Sequence, residues 1–229
     1  VDKRHMYPKG QKRSIIDGMV ATVKELEQNA TSVGQRGPAE HQRREQILQA
    51  AGEHFRHYGY RKTTVADLAK AISLSPAYIY KFFVSKQAIG EAVCALCLGE
   101  RTNALEKIVQ ETASPVECMR NIYKSLALNG AELFFKDRKM HDIITASFEE
   151  HWGNLEAYNQ ALIEIIRRVL VRGRELGEFE RKTSLEEACR AIYNTMQSFF
   201  HPILLEQNLD HLEEDATAVA NLVLRSLAP

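Results

Sequence analysis

Long apolar runs and strand patterns are what this chain lacks, and cysteine is scarce in it. No stretch of 18 apolar residues occurs in its 229 residues, so no membrane-spanning helix is expected. The opening VDKRHMYPKG has no apolar core of signal-peptide length, which points to a cytoplasmic protein. The four cysteines, Cys94, Cys97, Cys118 and Cys189, are scattered through helical contexts and do not read as a disulfide framework. No period-2 strand, Asn-Gly hairpin, internal repeat or low-complexity tract stands out. HExxH, a glycine-rich phosphate loop and a nucleophile motif are all missing, so neither a cofactor nor an enzyme is expected. His141 and His151 do lie near Asp142, Glu149 and Glu150, but these alternate with Lys and Arg on what reads as solvated helix face.

Net charge is also missing, and that zero conceals a division. Residues 1–86 carry 15 Lys and Arg against 8 Asp and Glu, a net of +7; residues 87–229 carry 15 against 22, a net of −7. A basic front and an acidic rear suit a nucleic-acid reader joined to a domain that avoids nucleic acid. Apolar content of 45% is ample for a core.

What is present is helical. Residues 1–40 form a basic extension in which Ile15, Ile16, Met19, Val20, Val23 and Leu26 follow helical spacing, before a linker at residues 31–38. A basic arm of this kind can touch phosphates or the minor groove, with Arg36 the best placed residue. Residues 40–58 read as an amphipathic helix ended by Gly59. Three helix starts follow within 24 residues: Thr64 with Asp67 three residues on, approximating a capping box; Ser75 followed by Pro76; and Ser85. Val65, Leu68, Ala69 and Ile72 share one helix face, and Ile79, Phe82 and Phe83 another. Two short helices around a tight corner form a helix-turn-helix over residues 41–88, its second helix spanning Ser75 to Phe82.

Residues 89–229 read as helix throughout, giving an all-α fold. The helix from Ser85 runs to about Gln110, and others cover Val116 to Phe135, Lys139 to Trp152, Leu155 to Leu176, Ser184 to Gln207 and Asp210 to Leu227. Pro202 is expected to kink or end the fifth of these.

The run Ile47 to Ala51 with Phe55 and Gly59, then Thr63-Thr64-Val65, Leu68-Ala69, Ser75, Ile79-Tyr80, Phe83 and Lys86-Gln87-Ala88-Ile89, resembles the TetR family of one-component transcriptional regulators. Two positions depart from the family pattern: Ser73 stands where glycine is usual in the turn, and Pro76 where lysine or arginine is frequent.

The resemblance implies that Pro76, Ala77 and Tyr78 face base edges, with Ser75 beside them, and that Thr64, Tyr80 and Lys86 contact phosphate; Lys81 is either phosphate-directed or solvated. It implies a homodimer on a near-palindromic operator. The apolar arcs Leu185, Ala188, Ile192, Met196, Phe199, Phe200 and Leu212, Ala216, Val219, Ala220, Val223, Leu227 suit a four-helix interface. It also implies a ligand cavity between residues 116 and 176 and release of DNA by a small-molecule effector, repression being the family majority. Residue type and spacing nominate Met119, Tyr123, Phe148 and Trp152 for an apolar or aromatic ligand, with Asn129 and His141 as polar contacts. A metal- or thiol-sensing regulator using Cys94 and Cys97 is the alternative, as is a TetR-like activator.

Overall fold

The computed structural model describes residues 37–229; the helical spacing expected from Ile15 to Leu26, and Arg36, lie outside the described residues. Helix α1 spans Pro38–Tyr58 and buries Ile47, Leu48, Ala51 and Phe55. Gly59, at φ +88°, turns the chain out of it, and its N–H donates to the Phe55 carbonyl at 2.9 Å. Helix α2 is Val65–Ala71. Its capping box is complete: Asp67 N–H donates to Thr64 Oγ1 at 3.2 Å and Thr64 N–H donates to Asp67 Oδ2 at 2.8 Å.

The corner between α2 and the next helix is made by Ser73 at φ +54°. A serine thus adopts the left-handed conformation that glycine enters without strain. Helix α3 is only Pro76–Ile79, capped by Ser75 Oγ, which accepts from Tyr78 N–H at 3.2 Å. It is half the expected length. Beyond Ile79 the bonds tighten to i→i+3, Lys81 N–H to Tyr78 carbonyl and Phe82 N–H to Ile79 carbonyl, because the chain must turn to bury Phe83 and reach the next cap.

That cap is Ser85, which opens α4, Lys86–Glu111. This helix leaves the helix-turn-helix and packs along α7, Asn154–Glu175. Helix α5, Pro115–Lys136, is the hub of the rear domain. It touches α4, α6 (Arg138–Glu149), α7, α8 (Leu185–Phe200), α9 (Pro202–Gln207) and α10 (Leu212–Ser226). Among the described residues there is no strand.

Three boundaries differ from expectation. The fifth long helix is two, because Pro202 has no N–H to donate and forces His201 into an extended conformation at ψ +119°. Helix α6 stops at Glu149, and His151 takes φ +53° in the turn that follows. A 3₁₀ turn, Leu209–His211, precedes α10.

Most residues expected at the dimer face lie inside the single chain. Ala188, Ile192, Met196 and Phe199 of α8, and Leu212, Ala216 and Val223 of α10, are buried within the single chain, as are Ala220 and Leu227. Helix α8 packs against α5 and α7, and α10 against α5 and α8, so their apolar arcs are consumed in the core, each large side chain contributing about 1.5–3 kcal/mol. Leu185, Phe200 and Val219 remain half-buried. Large apolar side chains exposed nearby are instead Ile203 on α9 and Leu222 on α10, at 45% and 60%.

Candidate nucleic-acid interface and effector cavity

Ser75, Pro76 and Ala77 are all exposed at the start of α3, with Tyr80 half-exposed one turn on. Tyr78 is half-buried; its ring leans on Phe82, centroids 5.4 Å apart, and Lys81 Nζ lies 5.4 Å from its centroid. The nominated readers therefore share one surface, while Ile79 and Phe83 anchor it from beneath. Val84, 89% exposed between α3 and α4, extends that surface and carried no sequence signal beyond its type.

Two phosphate candidates are engaged within the protein. Thr64 Oγ1 donates to Asp67 Oδ2 at 2.7 Å, and the Thr64 N–H is committed to the same carboxylate. These bonds hold the Asp67 pKa below the usual carboxylate range. Lys86 Nζ donates to the Arg61 carbonyl at 3.3 Å and sits 4.5 Å above the Tyr60 ring. Burial lowers its pKa, and Glu150 partly restores it.

Tyr60 joins this surface to the rear domain. The Trp152 ring stands against it, and Trp152 Nε1 donates to Glu150 Oε2 at 2.8 Å. Arg56 pairs with Asp137 at 3.0 Å and Arg61 with Glu149 at 2.9 Å, fastening α1 and the following turn to both ends of α6.

Within the rear domain a cavity of about 20 Å³ lies between α4, α5, α6 and the α8–α9 break, with room for roughly one water. Leu98, Leu126, Ile144 and Leu205 supply apolar walls; Arg101, Asn129, His141 and Tyr158 supply polar ones. The polar nominations Asn129 and His141 thus meet at this cavity, while none of the four ligand nominations lines it. Met119 and Tyr123 are fully buried on α5, Tyr123 Oη hydrogen-bonding Thr195 Oγ1 at 2.6 Å and its pKa pushed up to about 12 by burial. Phe148 packs on the His201 ring, centroids 4.4 Å apart, and Trp152 belongs to the junction with Tyr60. Arg101 could not be chosen from sequence, since an arginine on a long helix reads as solvated until the fold covers it.

Residues 47–93 match the family model for bacterial regulatory proteins of the tetR family, and residues 115–220 match the tetracyclin repressor-like C-terminal domain. The TetR family transcriptional regulator PfmR from Thermus thermophilus is 31% identical, over 80% of this chain and 99% of that one, with a TM-score of 0.50. The chain belongs to the TetR family. A TetR-family transcriptional regulator from Pectobacterium atrosepticum shares its fold, with a TM-score of 0.69 at 19% identity over 84% of this chain and 98% of that one. An uncharacterized HTH-type transcriptional regulator of Bacillus subtilis strain 168, YhgD, is 28% identical over 127 residues, 56% of this chain and 61% of that relative. The chain thus spans under two thirds of that curated relative's length.

In this TetR-family chain the cysteines are packing residues. Cys94 and Cys97 are buried; burial pushes the Cys94 thiol up to about 12 and raises that of Cys97, and Cys94 Sγ lies 3.6 Å from Ser147 Oγ. A thiol held protonated is a poor metal ligand and nucleophile. No group of three His, Cys, Asp or Glu capable of holding a metal occurs among the described residues. Glu149 is taken by Arg61, Glu150 by Trp152, and the His151 ring by the Glu149 carbonyl. Family and fold are those of DNA-binding regulators rather than enzymes. No helix among the described residues is long and apolar enough to cross a membrane.

Proposed function

We propose that this protein is a cytoplasmic one-component transcriptional repressor that binds operator DNA as a homodimer and releases it when a small molecule enters the rear domain. The observation that carries the reading is the exposed run Ser75-Pro76-Ala77, supported from below by buried Ile79 and Phe83. Ala77 suits close approach to a thymine methyl, and Tyr78 offers a hydroxyl and a flat face. Tyr80 and Lys81 are proposed to hold phosphates. Lys86 joins them by leaving the Arg61 carbonyl, and Thr64 by exchanging its Asp67 partner. Arg36 is proposed to reach the neighbouring minor groove.

Dimerisation is proposed through the outward faces of α8 and α10, where Ala191, Ala218 and Leu222 are exposed. Two-fold symmetry then sets two α3 helices about 34–36 Å apart, the repeat of the major groove. Effector binding would favour a conformer with a different spacing, lowering DNA affinity by the difference in its affinity for the two states. Helix α4 is the element to carry that shift, since it bears Lys86 at one end and Arg101 at the cavity.

Selection of bound sequences from random duplex DNA tests the proposal. The expected result is a near-palindrome with half-site centres about one helical turn apart, or a multiple of it. Recovery of no enriched sequence, from a protein that binds duplex DNA without salt dependence, would reject it.

A further inference from the structure

We propose that the effector of this protein is an anion: a small amphiphile whose carboxylate pairs with Arg101 while its apolar body lies among the leucines of the cavity. This rests on the reading of that cavity as the effector site.

Four polar residues from four helices line it: Arg101 from α4, Asn129 from α5, His141 from α6 and Tyr158 from α7. Arg101 Nη1 donates to the Asn129 carbonyl at 2.8 Å, leaving its buried Nε without a partner. Among the described residues, no carboxylate oxygen lies within 4.0 Å of the Arg101 guanidinium. Glu100, its neighbour in sequence, is not an adequate counter-ion. It makes no ion pair with Arg101, and its Oε1 is buried without a hydrogen bond; burial raises its pKa, and Arg56 and Arg101 pull it back down. His141 is 1% exposed; its Nδ1 lies 3.7 Å from Glu206 Oε1 and 3.5 Å from Thr145 Oγ1, and its Nε2 is buried without a partner.

A guanidinium stays charged at any pH the protein meets, and a partly buried charge is costly when nothing neutralises it. One ordered water can satisfy Nε but cannot supply the missing charge. A neutral ligand leaves the guanidinium unpaired, and a cation is repelled by it. A carboxylate matches the planar fork of N–H donors and supplies the charge. His141, with its unpartnered Nε2, stands beside Arg101 to orient it, while the Asn129 amide is held by Ser125 Oγ at 3.2 Å.

The cavity must widen to admit an apolar body, and the shortest helix in its wall is α9. Pro202 and Leu205 line the cavity from this six-residue helix, which follows the break at His201. Glu206, on the same helix, is tied to Arg138 at 3.1 Å. An outward shift of α9 enlarges the space without cutting a long helix.

The test uses two matched sets of probes that differ only in the head group: decanoate, decanol and decylamine; and 4-phenylbutyrate, 4-phenylbutanol and 4-phenylbutylamine. All are kept below micelle-forming concentration. Calorimetric titration of the full chain is expected to give at least tenfold tighter binding for a carboxylate than for its alcohol and amine. Arg101→Gln should erase that preference while leaving the alcohol's affinity unchanged, and Arg101→Lys should keep most of it. Equal affinity for acid and alcohol in the native protein, or an intact preference in Arg101→Gln, overturns the inference. If Arg101→Gln does not fold, the native and Arg101→Lys titrations decide alone. Release of operator DNA by an alcohol as readily as by its acid leaves the effector site standing and the anion claim refuted. No binding of any probe rejects both.

Discussion

The ring of Trp152, in the turn after α6, stands nearly edge-on to the ring of Tyr60, in the turn after α1, with centroids 5.3 Å apart and planes at 74°. Edge-to-face contacts of this kind contribute about 0.5–1.5 kcal/mol beyond the area they bury. The contact bridges the two parts of the molecule, and Lys86 rests on the other partner of the pair, Tyr60, 4.5 Å from its centroid. Gly90 on α4 lies beneath both rings: a Cβ there would stand 2.7 Å from Tyr60 Cε2 and 2.9 Å from Trp152 Cη2.

Gly90→Ala should therefore force the rings apart and destabilise the protein by about 1–3 kcal/mol, read from the shift in denaturant midpoint. Trp152 is the chain's single tryptophan, so its fluorescence reports on this junction alone. Tyr60→Ala should shift its emission to the red. An unchanged spectrum in Tyr60→Ala would remove Trp152 from the junction.

Loss of the α2 cap should be measurable apart from any effect on DNA. Thr64→Ala removes both side-chain bonds to Asp67 and is expected to cost about 1 kcal/mol in unfolding free energy. Thr64→Ser keeps the hydroxyl and should retain most of that stability.

On DNA, Tyr80→Phe should weaken binding to all sequences alike, as loss of a phosphate contact does. Lys81→Ala should do the same and reduce the salt slope by about 1 if its ammonium is phosphate-bound. Tyr78→Ala should change preference at particular base pairs. Titrations against a panel of single-base operator variants separate the outcomes, and a uniform loss in Tyr78→Ala would withdraw its role as a reader.

Leu222→Glu tests the dimer. Leu222 is 60% exposed in the single chain, so the substitution should leave the protomer's thermal stability unchanged while shifting sedimentation toward monomer and weakening operator binding. A dimer of undiminished strength would place the interface elsewhere.

Stability should fall on mild acidification. Burial first, and Arg138 second, lower the His141 pKa below its ordinary 6.5, against the opposing pull of Glu206, Asp142 and the Pro202 carbonyl; burial lowers that of His201 as well. A histidine whose folded pKa is depressed binds fewer protons folded than unfolded. Its contribution is therefore complete above 6.5 and is lost as pH falls from there toward the folded value. Urea midpoints measured between about pH 7 and 5 should drop, and the double variant His141→Gln, His201→Gln should show a shallower slope over that range.

The starts of α2, α3 and α4 were legible because capping is local: Thr64, Ser75 and Ser85 each satisfy backbone N–H groups within three residues, and no distant contact is needed. The corner at Ser73 and the end of α1 at Gly59 follow equally from short-range geometry. The length of α3 did not, because its last turn yields to the burial of Phe83.

The amino-acid order alone therefore determined the helical class, the basic and acidic halves of the chain, and the caps that open α2, α3 and α4. Only tertiary structure decided where each apolar arc was spent: Met196, Phe199 and Ala216 went into the core, Trp152 into the junction, and Arg101 to the cavity wall. Periodicity marks a face as apolar without naming the surface that covers it, because the hydrophobic effect depends on area removed from water and not on the identity of the partner.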